Sequence, residues 1–246
     1  MIPKIIHYCW FGAGKIPPRL QKCIASWKEL MPEYQLIRWD ETSFDINSLP
    51  WTKEAYELRK FAFVSDYVRL FVLNKIGGIY LDTDVLVKKS FDPLLFLHGF
   101  MGFENDTVLS SAIMGFEAGH PILSEFLSYY ENKHFVTQDG GLEDIPNVQM
   151  ITATLRKYGL VIEDRPQLVE SIRIFPREYF CPLDFYYNDH SSENTFCVHM
   201  FDASWLSAEK KKRLWLERSQ TYKTYLNAKH FIKMILESLY EHSKHT

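Results

Sequence analysis

Asp82 and Asp84 are two carboxylates separated by a single residue. Their type and spacing suggest chemistry more directly than those of other residues in this chain. They follow the apolar stretch "GGIYL", and residues two apart on an extended strand point to the same side. Carboxylates held that close repel each other unless a cation lies between them. Oxygen ligands suit Mg²⁺ or Mn²⁺. The pair therefore predicts a divalent-metal site at the end of a buried strand. The alternative is that one aspartate caps a turn and the other is solvated.

A second polar pair lies in the segment just before that strand. "FAFVSDYVRLFVLNKI" is apolar almost all round, as in a helix buried on most sides, and Asp66 and Arg69 lie three residues apart on one face of it. Buried charges must be paired or must meet a polar ligand. We therefore expect either a structural ion pair or a pair that also offers hydrogen bonds to a polyhydroxyl ligand. Gly77 and Gly78 would end the helix and bring both pairs to one place.

The hydrophobic pattern predicts alternating strands and helices in the first half of the chain and less regular elements later. This order predicts an α/β fold with a mostly parallel central sheet flanked by helices. Sites in such folds lie at the carboxyl ends of the strands. The expected strands are 3–11, 32–40, 78–89 and 98–105, with another around 110–117 and a short strand and loop over 195–205. The expected helices are 19–30, 56–76, 121–133 and 147–159.

Composition excludes several other classes of protein. A length of 246 residues predicts one domain with at most an appendage, and a net charge of −3 gives no reason to expect nucleic-acid binding. The four cysteines form no C-x-x-C pair, so we expect reduced, buried thiols and no zinc ribbon. No signal-peptide pattern and no long apolar run is present, so we expect a cytoplasmic protein.

The window "FAFVSDYVRLFVLNKIGGIYLDTDV" resembles the signature of D-x-D sugar transferases, most closely glycosyltransferase family 32. The glucosylating domains of clostridial toxins are more distant relatives. The stretches "IPKIIHYCWFG" and "VHMFDASW" resemble the family's first and last landmarks, whereas "DIPNVQMIT" stands where the family has a glycine-proline motif. The signature runs A-x-x-S-D-x-x-R-x-x-x-L, then G-G-x-Y-x-D-x-D, and is filled here by Ala62, Ser65, Asp66, Arg69, Leu73, Gly77, Gly78, Tyr80, Asp82 and Asp84.

This resemblance implies a GT-A nucleotide-sugar-transferase fold and a retaining, metal-dependent hexosyltransferase. Mn²⁺ or Mg²⁺ would be held by Asp84 and His199, with Asp82 reaching the metal through water or the donor ribose. The metal would neutralise charge on the leaving diphosphate. A packed or surface histidine is the alternative for His199. No side chain is clearly placed as a nucleophile, so front-side attack by the acceptor is the favoured route.

The resemblance also implies the contacts with the donor. Asp66 and Arg69 would hold hydroxyls of the transferred sugar beside Tyr80, and Trp10 would stack on the base unless it is a core aromatic. Together with the D-x-D pair, Asp66 and Arg69 form the predicted catalytic set. The other predicted donor contacts are Phe11, Ser65, Ser204 and Trp205.

The sequence leaves the substrates open. UDP-galactose is the favoured donor and GDP-mannose the alternative. The expected acceptor is a glycan or an undecaprenyl-diphosphate-linked saccharide, as in capsular or lipopolysaccharide synthesis. Two other classes remain as alternatives: a non-catalytic nucleotide-sugar-binding module, and a phosphatase of the haloacid-dehalogenase type, which leaves the Asp66–Arg69 pair unexplained.

The tail differs from the rest of the chain in charge. Residues 207–246 carry nine Lys or Arg against four Asp or Glu, mixed with large apolar residues. We therefore expect residues 1–206 to form the catalytic domain and 207–246 to form a basic amphipathic helical extension. Such a helix can lie on an anionic membrane, here the inner face of the plasma membrane. The alternative is a helix packed on the domain.

Overall fold

A computed structural model describes residues 1–184, 186 and 188–202, with positions 209, 212, 213 and 216 of the tail. The chain divides into two compact units, Met1–Pro182 with His190–Trp205 and Leu183–Asp189 with Leu206–Thr246. In the second unit, the Asp184 carboxylate accepts hydrogen bonds from the backbone N–H groups of Tyr186 and Asn188. The predicted helical extension lies outside the described residues, apart from the four single positions.

The first unit holds every helix and strand whose bounds the structure describes. The helices are α1 (Pro18–Leu30), α2 (Pro50–Glu57), α3 (Phe61–Ile76), α4 (Pro121–Ser128) and α5 (Asn147–Lys157), with single 3₁₀ turns at Ile46–Ser48, Asp92–Leu94 and Arg177–Tyr179. The strands are β1 (Ile5–Cys9), β2 (Gln35–Trp39), β3 (Gly78–Leu81), β4 (Val85–Val87), β5 (Gly99–Gly102), β6 (Ile113–Phe116), β7 (Gln167–Val169), β8 (Ile172–Phe175) and β9 (Cys197–His199).

Seven strands form the central sheet, in the order β2-β1-β3-β6-β5-β8-β7. Five of them run in the same direction, and β6 and β7 run against them. The predicted α/β fold with a mostly parallel central sheet is therefore confirmed. Because β1, β3 and β5 point the same way, the residues that follow their carboxyl ends lie at one edge of the sheet, as does the start of β6.

Helix α3 is the central helix of the site. Its apolar residues point in all directions, and eight of its sixteen residues are buried. It ends at Gly77, which has φ +73°, and Gly78 follows with φ +114°. A Cβ atom on Gly78 would lie 2.7 Å from the carbonyl oxygen of Ile5 on the neighbouring strand, so this close approach of two backbones needs glycine. The glycine pair therefore turns the chain directly from α3 into β3, as predicted.

The predicted continuous helix over 56–76 is wrong at its start. Helix α2 ends at Glu57 and α3 begins at Phe61. Between them, Arg59 takes the left-handed conformation with φ +57°, which interrupts the helical hydrogen bonds. The residues "ELRK" are good helix formers, so local propensity does not reveal this break.

The predicted continuous strand over 78–89 is also wrong. β3 ends at Leu81, and the backbone N–H of Val85 donates to the carbonyl oxygen of Asp82 at 3.0 Å. Asp82-Thr83-Asp84 is therefore a tight turn. β4 then leaves the central sheet and pairs antiparallel with β9, with Val85 opposite His199. The indole N–H of Trp27 on α1 donates to the carbonyl oxygen of Val85 at 2.7 Å, which ties the far side of the turn to α1.

Candidate active site

A three-residue cluster forms where the D-x-D turn meets β9. Asp82, Asp84 and His199 each offer one ligand atom, and these atoms all lie within 4.8 Å of one another. The turn brings the two carboxylates together, and the pairing of β4 with β9 places His199 beside them. Nε2 of His199 lies 3.4 Å from Oδ1 of Asp84. The predicted metal ligands therefore converge, although by a turn and not by the alternation of a strand.

Asp84 and His199 are both buried and shift each other's protonation. Burial raises the pKa of Asp84, but His199 outweighs burial and lowers that pKa overall. Burial lowers the pKa of His199, but the Asp84 carboxylate outweighs burial and raises that pKa well above its usual value. The backbone N–H of Asp202 donates to Oδ2 of Asp84 at 2.7 Å. Asp84 is thus held as a carboxylate.

The donor set of this cluster fits a divalent cation. Two carboxylate oxygens and one imidazole nitrogen are ligands of the kind that Mn²⁺ accepts, and the carboxylates also suit Mg²⁺. Nδ1 of His199 is buried and has no hydrogen-bond partner within the described part of the chain, which is an unusual arrangement for a histidine that only packs. The residues that would hold the cation are therefore Asp82, Asp84 and His199.

A chain of charged contacts joins α3 to the D-x-D turn. Nη2 of Arg69 lies 3.0 Å from Oδ1 of Asp66 and 3.4 Å from Oδ1 of Asp82. The hydroxyl of Tyr80 donates to the same Asp82 oxygen at 2.8 Å. The predicted Asp66–Arg69 pair is therefore present, and it continues to the predicted metal ligands. Its role towards a sugar stays a prediction.

Further contacts fix the Arg69 guanidinium in one orientation. Nη1 donates to both the carbonyl oxygen and the Oγ of Ser111, each at 2.8 Å. Nε donates to the carbonyl oxygen of Ser65 at 3.2 Å, and the group lies 4.7 Å from the centre of the Tyr80 ring. Because all of its nitrogens are engaged, Arg69 positions Asp66 and Asp82 at fixed distances.

Two site residues, Ser111 and Asn147, were not predicted from the sequence. Asn147 begins α5, and its backbone N–H donates to Oδ2 of Asp66 at 3.4 Å, while its side-chain amide donates to the carbonyl oxygen of Asp66 at 3.3 Å. Ser111 Oγ donates to Oδ1 of Asn147 at 2.8 Å. Asn147 lies in "DIPNVQMIT", where the chain departs from the family pattern, and that departure was the available signal.

Asp66 is therefore held from two sides. Arg69 contacts one of its carboxylate oxygens and Asn147 the other. Burial raises the pKa of Asp66 to about 6, against the pull of Arg69 in the other direction. The contacts with Arg69 and Asn147 fix the orientation of the carboxylate.

The other residues predicted to contact the sugar donor differ in burial and in their protein contacts. The Trp10 indole N–H donates to the carbonyl oxygen of Gly14 at 2.6 Å, and this partly exposed ring follows directly after β1. Phe11 is buried in the core, and Ser65 Oγ donates to the carbonyl oxygen of Phe61 within α3. Their contacts with a donor stay predictions. Ser204 and Trp205 lie outside the described residues.

Among the described residues, no helix combines the length and the apolar character that crossing a membrane requires.

Comparison with known proteins relates the chain to sugar transferases. Residues 17–99 match the family model described as "Glycosyltransferase sugar-binding region containing DXD motif". Among solved structures, "PaToxG Glycosyltransferase" is similar with a TM-score of 0.49 and 21% identity, covering 63% of this chain and 68% of that one.

Curated relatives are named as sugar transferases or, in one case, as a mannosyl-lipid synthase. Inositol phosphoceramide mannosyltransferase 3 of Schizosaccharomyces pombe is 36% identical over 126 residues, which is 50% of this chain and 35% of the relative. Mannosyl phosphorylinositol ceramide synthase SUR1 of Saccharomyces cerevisiae is 30% identical over 55% of this chain and 37% of the relative. Mouse lactosylceramide 4-alpha-galactosyltransferase is 28% identical over 62% of this chain and 45% of the relative.

The chain thus spans less than half the length of each of these three relatives. The match to the family model runs from α1 to the first residue of β5 and includes both polar pairs of the site. All ten residues of the predicted signature, from Ala62 to Asp84, lie inside this match. Residues 17–99 of the chain thus resemble a glycosyltransferase sugar-binding region that contains the DXD motif.

Proposed function

We propose that this protein is a metal-dependent glycosyltransferase that moves a hexose from a nucleotide sugar to a hydroxyl of a saccharide or polar-lipid acceptor. One observation carries the proposal: the ligand atoms of Asp82, Asp84 and His199 lie within 4.8 Å of one another, and Arg69 joins this cluster to Asp66. A cation site next to fixed, buried hydrogen-bonding groups suits a diphosphate linked to a sugar.

Each group of the site has a separate task in this proposal. A divalent cation, when bound, would neutralise the charge that develops on the leaving diphosphate. Asp66 orients the hydroxyls of the sugar through the lone pairs that its protein contacts leave free, and Arg69, whose N–H groups are all engaged, holds Asp66 in position. Such fixed groups lower the barrier because they need no reorganisation during the reaction. The partly exposed Trp10 ring stacks on the base, a contact worth roughly 1–3 kcal/mol.

Retention of the anomeric configuration is part of the proposal. In retaining glycosidases, a carboxylate attacks the sugar as a nucleophile. Here both oxygens of Asp66 are engaged, one by Arg69 and the other by the backbone N–H of Asn147. This supports front-side attack by the acceptor, with an oxygen of the leaving diphosphate taking the proton of the acceptor hydroxyl.

The names of the relatives bear on the choice of substrates. Two relatives with 30% identity or more are named an inositol phosphoceramide mannosyltransferase and a mannosyl phosphorylinositol ceramide synthase. They favour GDP-mannose, the alternative from the sequence, and a phosphoinositol-type lipid acceptor. UDP-galactose stays a candidate, with the galactosyltransferase relative in support. A capsule-type glycan or undecaprenyl-diphosphate-linked saccharide stays the second acceptor class.

The place of action is proposed from the sequence of the tail. A lipid-linked acceptor requires access to a membrane surface, and residues 207–246 combine basic and large apolar side chains. We place the enzyme at the cytoplasmic face of the membrane, attached through this tail. Flotation with anionic liposomes of chains with and without residues 207–246 tests this. Equal flotation of the two chains would show that residues 207–246 do not attach the protein to the membrane.

A donor screen tests the proposed activity. The purified full chain is incubated with GDP-mannose, UDP-galactose or UDP-glucose, with Mn²⁺ or with EDTA, and released nucleotide is measured. We expect release from one donor, dependent on Mn²⁺ and abolished in Asp84→Ala. The anomeric configuration of the product, read by NMR, tests retention. Binding of a nucleotide sugar without Mn²⁺-dependent release would favour the non-catalytic binding module.

A further inference from the structure

A third acidic residue, Glu104, lies at the same sheet edge as the D-x-D turn. It follows β5 by two positions, as Asp82 follows β3 by one. β3 and β5 both pair antiparallel with β6 and therefore point the same way. Neighbouring strands lie about 4.8 Å apart, so β5 is roughly 10 Å from β3 along the edge. Glu104 thus follows a strand that lies two strand spacings from the one that Asp82 follows.

The backbone around Glu104 is held in a short, hydrogen-bonded loop. Its N–H donates to the carbonyl oxygen of Val108 at 3.0 Å, and Oδ1 of Asn105 accepts from the N–H of Thr107 at 2.9 Å. Phe103 and Leu109 form a bridge at the base of the loop. These contacts hold the backbone of Glu104 in place, so the position of its Cα atom at the sheet edge is fixed by the loop.

The Glu104 carboxylate is half-buried and has no hydrogen bond or ion pair in the described part of the chain. Burial raises its pKa, and the charged groups that act on it are site residues. Burying a carboxylate without a hydrogen-bond partner costs free energy, so such groups are rare in folded proteins and commonly have a functional role. The charged residues around it are His199, Asp82, Arg69 and Asp84.

The other carboxylates of the site are already engaged. Asp66 contacts Arg69 and Asn147, and Asp84 contacts His199 and the N–H of Asp202. Asp82 contacts Tyr80 and Arg69 through one oxygen, and its other oxygen is left for the cation. Glu104 is therefore the site carboxylate with both oxygens available to a ligand.

We propose that the Glu104 carboxylate accepts a hydrogen bond from a hydroxyl of the acceptor, a saccharide or another polyol. The inference rests on the proposed transferase function. Asp66 and Arg69 serve the transferred sugar in that function, so a carboxylate without a protein partner further along the same edge meets the molecule that receives the sugar. Glu104 is then a determinant of acceptor binding and does not serve the donor or the metal.

Separate kinetics for water and for an acceptor probe test this role. With Mn²⁺ and the donor found active in the screen, nucleotide release is measured without a probe and with octyl α-mannoside or octyl β-galactoside. Glu104→Ala should raise the KM of the probe about ten- to hundredfold, the loss of one charge-assisted hydrogen bond. Release to water should stay within about twofold of wild type. Glu104→Gln, which keeps one accepting oxygen, should recover part of the loss.

The matched control is Asp106→Ala, because Asp106 lies in the same loop with its side chain 83% exposed and should leave both activities unchanged. An unchanged probe KM in Glu104→Ala would overturn the inference. So would a parallel fall of water and probe reactions, which would place Glu104 at the donor or the metal. No nucleotide release by the wild-type chain from any donor would overturn the proposed function, and with it this inference.

Discussion

Nη2 of Arg69 lies 3.4 Å from Oδ1 of Asp82, so one ion pair links α3 to the D-x-D turn at the end of β3. The same nitrogen lies 3.0 Å from Asp66. The two polar pairs of the signature therefore form one continuous network. A change on the helix should affect the D-x-D end of the site, where we propose that the cation binds.

Arg69→Lys tests this network. A lysine keeps the charge but loses the forked contacts to Ser111 and the stacking on Tyr80, so we expect Mn²⁺-dependent nucleotide release to fall at least about a hundredfold. The free energy of unfolding should fall by about 1–3 kcal/mol. Urea unfolding measures the stability. The control is Arg38→Lys, where the exposed Arg38 pairs with the half-buried Asp40, which should cost less than about 1 kcal/mol. Near-wild-type activity of Arg69→Lys would show that the fork is dispensable.

Gly78→Ala tests the junction between α3 and β3. An added Cβ would lie 2.7 Å from the carbonyl oxygen of Ile5, at φ +114°, so we expect the free energy of unfolding to drop by about 2–4 kcal/mol. Gly14→Ala is the matched control, because a Cβ on Gly14 meets nothing within 4 Å. That variant should stay within about 0.5 kcal/mol of wild type. Equal stability of the two variants in urea unfolding would contradict the assigned junction.

Glu54→Gln tests a contact away from the site and gives a pH dependence. The Glu54 carboxylate accepts from the backbone N–H groups of Phe135 and Val136 and bonds to His134. Burial raises its pKa, but these hydrogen bonds outweigh burial and lower the pKa below the usual 4.5. The carboxylate therefore adds stability above pH 4.5, and this contribution is lost as the pH falls through the lower, folded-state pKa.

The variant should consequently be less stable than wild type at pH 7 by about 1–2 kcal/mol. The gap should close as the pH falls below about 4. Urea unfolding at a series of pH values measures it, with Glu57→Gln, an exposed residue of the same helix, as control. A gap that stays constant between pH 7 and pH 3 would show that the charge of Glu54 does not contribute.

The sequence predicted those parts of the site that depend on residues close together in the chain. Asp66 and Arg69 lie three residues apart on an apolar helix, so their pairing and burial followed from periodicity. Ser111 and Asn147 reach the same network from 42 and 81 residues away, and no local pattern indicates such contacts. The break at Arg59 was likewise hidden by helix-forming neighbours.

The D-x-D segment shows the same limit. "VLVKK" has the composition of a strand, so the sequence predicted one strand through Asp82 and Asp84. The chain turns there because Val85–Val87 pairs with Cys197–His199, more than 100 residues further on. Local propensity could not reveal that partner. The convergence of His199 with Asp84 came from the family resemblance and not from spacing.

Mn²⁺ binding tests the central claim most directly, without any choice of substrate. Free Mn²⁺ is measured by electron paramagnetic resonance during titration of wild type, Asp84→Asn and the loop control Asp106→Asn. Removal of one carboxylate from the three-residue cluster removes both charge and a ligand atom. We predict one Mn²⁺ site in wild type and in the control, weakened at least about tenfold in Asp84→Asn. Equal Mn²⁺ affinity of all three proteins would contradict the metal site formed by Asp82, Asp84 and His199.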